Sequence, residues 1–182
     1  MIQTIRVGHL LREAVAAPYR NLVTRPTGAA VRSRIEAALA ASPPDCQTTC
    51  LDFSDIDLLD LSCADEVVAK LLLAVGGRGA RFVVLQNLRE DQREAIEHVL
   101  THHRLVVAAL TAGQTEPRLL GWASSDARAA FACIGKAGPM SAGQLTERLD
   151  WSETRGRQAI ETLLTHRLIH LEGDLYYPLP IT

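Results

Sequence analysis

Two short runs, Phe82–Leu85 and Leu105–Leu110, are apolar without interruption. A strand with one buried face alternates apolar and polar residues, so an unbroken run calls for cover on both faces. Between them, Arg89–His103 carries Ala95, Ile96, Val99 and Leu100 at helical spacing. Strands alternating with helices in this way indicate an α/β layer fold around a mixed sheet. The alternation extends upstream. Ile2–Val7 reads as a strand, followed by a poorly patterned stretch and a short strand near Asn21–Val23. Arg25–Gly28 (RPTG) breaks the chain and offers Thr27 as an N-cap for a helix over Ala29–Ala41. Ser42–Asp45 (SPPD) ends that helix. Thr48–Phe53 is a strand, Ser62–Val75 a helix stopped by Gly76, Gly77 and Gly79, and Arg118–Trp122 a last strand.

The pattern changes after Trp122. Ser124 or Ser125 caps a helix to about Ala137, and Ser141 caps a short one to Leu149. Trp151-Ser152 introduces a longer helix, roughly Glu153–His166. Arg167–Leu171 and Leu175–Pro178 then flank Glu172-Gly173-Asp174, a turn suited to a hairpin. Three helices and a hairpin follow the order of a winged helix-turn-helix. The expected organisation is an α/β domain over 1–122 and a small α+β domain over 124–182.

With 47% hydrophobic residues and only 4% aromatic, the core must be built from Leu, Val, Ile and Ala. A net charge of −2 advertises neither nucleic acid nor an anionic membrane. No apolar run reaches the ~18 residues of a membrane span, and the N-terminus lacks the features of a secretory signal. Cys46, Cys50, Cys63 and Cys133 match no zinc spacing and read as reduced thiols of a cytoplasmic protein. His98 and His102 share a helix face without an HExxH pattern, and no nucleophile elbow or glycine-rich phosphate loop occurs. The expectation is a protein without metal, cofactor or catalytic constellation.

The stretch Thr48–Leu73 passes from an apolar strand through an acidic turn (Asp55, Asp57, Asp60) into a helix. Ser62, with Asp65 and Glu66 behind it, has the arrangement of a capping box. Ser62 therefore reads as the N-cap, or as a phosphoacceptor at a helix start. Asp60, Asp65 and Glu66 would surround such a phosphate and repel it. The turn aspartates lack the spacing of a calcium loop. Arg25, Arg32 and Arg34 read as surface charge or, with Thr27, as a small anion site.

LDFSDIDLLDLSCADE resembles the signature of STAS-type domains, the family of anti-sigma-factor antagonists. The similarity is to the branch reading serine, a small or apolar residue, Ala, Asp, Glu, here Ser62, Cys63, Ala64, Asp65 and Glu66. It implies a STAS-like mixed sheet with flanking helices. It further implies a partner surface at Ser62, Asp60, Asp65 and Glu66, with a GHKL-type kinase as a candidate partner. In the phosphorylated antagonists the serine directly follows the loop aspartate, whereas Leu61 follows Asp60 here. The C-terminal segment resembles bacterial winged helix domains.

In that second resemblance the helix after Ser152 turns Arg155, Arg157 and Gln158 outward, and these side chains suit guanine and adenine edges. Residues 124–182 hold six basic and seven acidic residues, a formal charge of −1, with two acids at the wing tip. Phosphate contacts dominate DNA affinity, so this balance opposes DNA binding. The expected function is a homodimeric signalling or transcriptional regulator in which the first domain senses a protein or ligand and the second binds DNA. The alternative is a protein–protein adapter that never touches DNA.

Overall fold

The computed structural model describes residues 1–75 and 81–181; the expected stop at Gly76, Gly77 and Gly79 lies outside them. The main sheet has five strands: β1 (Ile2–Arg6), β3 (Thr48–Asp52), β5 (Phe82–Leu88), β6 (Val106–Thr111) and β7 (Arg118–Gly121). They lie in that order; the first four are parallel and β7 runs antiparallel at the edge. Two short strands, β2 (Asn21–Leu22) and β4 (Leu58–Leu59), pair separately.

The unbroken apolar runs are explained by cover on both faces. Leu51, Val83, Leu85, Val107, Ala109 and Leu120 face helices α1 (Val7–Val15), α2 (Arg25–Ala41), α3 (Leu61–Ala64), α4 (Lys70–Val75) and α5 (Glu90–His102). Their neighbours Cys50, Phe82, Val84, Val106, Ala108 and Leu119 belong to a second core. That core also holds Phe131 and Ile134 of α6 (Ser125–Ala137), Leu145 of α7 (Ala142–Leu149) and Ile160 and Leu163 of α8 (Glu153–Thr165). The C-terminal segment thus covers the sheet face that the earlier helices leave open. The hairpin β8 (Ile169–Glu172) and β9 (Leu175–Pro178) joins in: His170 stacks on Tyr177 with centroids 5.1 Å apart and lies 5.8 Å from Phe82.

Ser124, Ser141 and Ser152 cap α6, α7 and α8, each accepting an amide hydrogen bond three residues on. Gly156 lets α8 cross α7 closely, since a Cβ there would lie 2.2 Å from Thr146 Cγ2. Arg128 seals the free edge of β7: its guanidinium donates to the carbonyls of Leu119 and Gly121, the latter at 3.0 Å. Such a plug blocks further strand pairing at that edge.

Upstream of the acidic turn, two helices differ from the sequence expectation. α2 begins at Arg25 with Thr24 as N-cap rather than after Thr27, because Pro26 is at home in a first helical turn. α1 occupies the poorly patterned stretch.

Candidate functional site

The start of α2 and the helix after the acidic turn meet at Gly28. A Cβ at Gly28 would lie 3.1 Å from Cys63 Cα and from Glu66 Cβ. The missing side chain permits the approach, and the approach brings Arg25 and Arg32 to Glu66. Glu66 is 2% exposed, the only buried carboxylate among the described residues. Arg25 donates to it at 2.8 Å, Arg32 at 3.2 Å, and Lys70 from the next turn. Burial pushes its carboxyl pKa up, but Lys70, Arg25 and Arg32 outweigh that and leave it below the ordinary range. Asp65 likewise accepts from Arg25 at 2.8 Å and pairs with His103 Nε2 at 2.7 Å. Burial raises its pKa, Arg25 and His103 lower it, and the net direction is down.

Residues Asp65–Ala69 form a π-helical turn between α3 and α4. Such turns concentrate at functional positions.

Ser62 is not the helix cap. Asp60 is: its Oδ1 accepts the Cys63 amide at 2.7 Å, and Ser62 donates its hydroxyl to the same oxygen at 2.9 Å. A carboxylate one residue before the helix reaches the amide at the third helical position directly. Asp60 Oδ2 also accepts the Thr24 amide at 2.9 Å. Burial raises the Asp60 pKa, but these amides and the Ser62 hydroxyl bring it below its usual value. Thr24 has φ 69°, a conformation costly for a β-branched residue. Asp60 and the Cys63 thiol, which donates to the Thr24 carbonyl at 3.0 Å, hold it there. A buried carboxylate, a strained threonine and a π turn therefore coincide within one contact shell. Leu58 and Leu61 lie exposed beside it.

The acidic turn is tied to arginines: Asp55 to Arg12 at 3.4 Å, Asp57 to Arg20 at 2.9 Å and to Arg89 at 3.7 Å. Asp52 accepts from the Ser54 amide and Asn87 Nδ2. Arg34 pairs with Glu13. Among the described residues no group of three His, Cys, Asp or Glu could hold a metal. Burial pushes the Cys50 thiol up to about 11 and the Cys63 thiol up to about 12, so neither is a nucleophile.

On α8 the outward arginines are engaged. Arg155 makes two hydrogen bonds of 2.8 Å to Asp126 of α6 and stacks 4.6 Å over the Trp151 ring. The hydrogen bonds from Arg155 hold the Asp126 carboxyl below its usual range. Arg157, 69% exposed, pairs with Glu153 at 2.7 Å. Gln158 is exposed, as are Glu172 and Asp174 at the hairpin tip.

The chain matches no protein-family model, no curated protein and no solved structure. Among the described residues no helix is long and apolar enough to cross a membrane. The sequence points to Asp60, Ser62, Asp65 and Glu66 and offers Arg25 and Arg32 as surface charge or as part of an anion site; the structure instead pairs both arginines with Glu66 and adds Thr24 and His103. The available signals were Glu66 and Lys70 four apart, and Arg25 and Arg32 seven apart on one helix face.

Proposed function

We propose that the chain is a non-catalytic cytoplasmic regulator: a STAS-like input domain carrying the Asp60–Glu66 cluster, and a winged helix output domain that docks protein rather than DNA. The carrying observation is the pairing of both outward arginines of α8 with carboxylates of the same chain. A hairpin with two acids at its tip, flanked by exposed Leu171 and Leu175, adds to it. A DNA backbone would have to displace Asp126 and Glu153 and approach an acidic wing. Exposed leucines at the hairpin suit a protein partner instead. The input reading draws support from the strained Thr24 and the π turn, which sit where Leu58 and Leu61 could meet a partner. Phosphorylation of Ser62 is disfavoured, since its hydroxyl already binds Asp60 and a phosphate would face that carboxylate.

DNA binding through Arg155, Arg157 and Gln158 is the second reading, favoured by the solvent exposure of the first turns of α8. Titration of fluorescent duplex DNA at low salt tests the choice. Saturable binding lost on Arg155→Ala/Arg157→Ala favours DNA, and its absence favours docking.

A further inference from the structure

A cavity of about 460 Å³ opens between α5 and the β6–β7 edge of the sheet. Strand register brings its lining together. Leu88, Ala109 and Leu120 belong to the core under α5. Thr111 is paired with Leu88, and Arg118 with Ala109, so both side chains project from the same sheet face. Glu90, Arg93 and Glu97, spaced three and four apart on α5, form the opposite wall, and Arg128 of α6 closes a side.

The charges in this cavity do not cancel. Glu90 is taken by Arg93, and Glu97 lies 3.6 Å from Arg128. Arg128 is itself held by the carbonyls of Leu119 and Gly121. Arg118 is the surplus cation. Among the described residues its guanidinium makes no hydrogen bond or ion pair, and the side chains of Thr111 and Gln114 make none either. The Gln114 amide donates to the Thr111 carbonyl at 3.0 Å, which fixes the turn that carries them. They stand at the carboxyl end of β6, where the strand direction reverses into β7. Open α/β sheets bind ligands outside the carboxyl ends of their strands.

We propose that this cavity binds a small molecule bearing an oxyanion, a carboxylate or a phosphate ester. The anionic group would sit on the Arg118 guanidinium, with the Thr111 hydroxyl and the Gln114 amide donating to its remaining oxygens. A guanidinium, a hydroxyl and an amide, all free to donate, select an oxygen acceptor, while Glu90 and Glu97 keep their own arginines. The volume suits a small metabolite rather than a bare ion. Arg128 comes from the C-terminal segment, so the ligand would touch both halves of the chain. The inference does not depend on what α8 binds.

The test uses the isotope-labelled full chain, titrated separately with inorganic phosphate and with succinate, sodium chloride holding the ionic strength constant. At least one probe should bind saturably with a Kd of about 1 mM or tighter, and the stronger of the two identifies the anion class. Amide shifts should concentrate at Thr111, Gln114 and Arg118. Arg118→Gln, at an exposed position, should weaken binding at least about tenfold, and Thr111→Val, which keeps the branched shape, about threefold or more. Spectra of both variants without ligand should match the intact chain away from the cavity. Saturation by neither probe, shifts centred elsewhere, or either variant binding as the intact chain does would each overturn the inference.

Discussion

Ser62 and Asp60 share one oxygen: the Ser62 hydroxyl donates to the same Oδ1 that receives the Cys63 amide. The serine is therefore an accessory to the cap, and the two residues should respond unequally to substitution. Asp60→Ala removes the cap and the anchor of Thr24, and should cost about 1–2 kcal/mol. Ser62→Ala removes one hydrogen bond to a charged group that is still held by two amides, and should cost about 1 kcal/mol or less. Urea denaturation of both variants checks the order.

The Glu66 cluster should make stability depend on acid. Asp60, Asp65 and Glu66 all have folded-state pKa values below their unfolded ones. Unfolded carboxyls titrate near pH 4, so the unfolded chain binds more protons below about pH 5. The stability from these groups is complete above that range and lost as pH falls through the lower folded-state values. Denaturation midpoints between pH 7 and pH 3 should fall steeply, and less steeply in Glu66→Gln. At neutral pH that variant should be destabilised by roughly 1–3 kcal/mol. The cost stays below that of a fully buried pair because Arg25 and Lys70 can turn to water.

Thr24→Gly should raise stability by about 1 kcal/mol. Glycine tolerates the positive φ, and the strain it relieves exceeds its own entropic cost and the lost contact to Thr27. A lower urea midpoint would show that Thr24 is not strained.

The four thiols should react in order of exposure, with the raised pKa of Cys50 and Cys63 slowing those two further. Cys46, Cys50 and Cys63 are buried and Cys133 is half-buried. A disulfide reagent near pH 8 should modify Cys133 first and Cys50 and Cys63 only on unfolding, as peptide mapping after partial labelling would show.

The centre of the sheet was legible because β3, β5 and β6 are buried on both faces, and a run as short as Phe82–Leu85 between turn signals suits a strand. The serine caps at 124, 141 and 152 were legible because a capping hydroxyl is a local signal. α1 was not: it leaves β1 without any capping side chain, after Arg6, and ends on Ala16 in the left-handed region. β4 was hidden because its pairing with β2 is a tertiary contact inside an acidic turn. The burial of Glu66 is not visible in the sequence, where it sits in the first turn as part of a capping-box pattern, since acids are seldom buried without partners. Two of its three partners, Arg25 and Arg32, come from α2, and only the close approach at Gly28 brings them to it. The engagement of Arg155 by Asp126 was invisible for the same reason: the two residues are 29 positions apart.

The docking claim is tested most directly by anisotropy of a fluorescent duplex DNA at about 50 mM salt, where phosphate contacts are strongest. The intact chain is compared with Asp126→Asn/Glu153→Gln, which frees both α8 arginines. The expected result is no saturable binding by the intact chain and measurable, salt-sensitive binding by the variant. Submicromolar binding by the intact chain, abolished by Arg155→Ala/Arg157→Ala, would contradict the docking reading and establish DNA as the partner of α8.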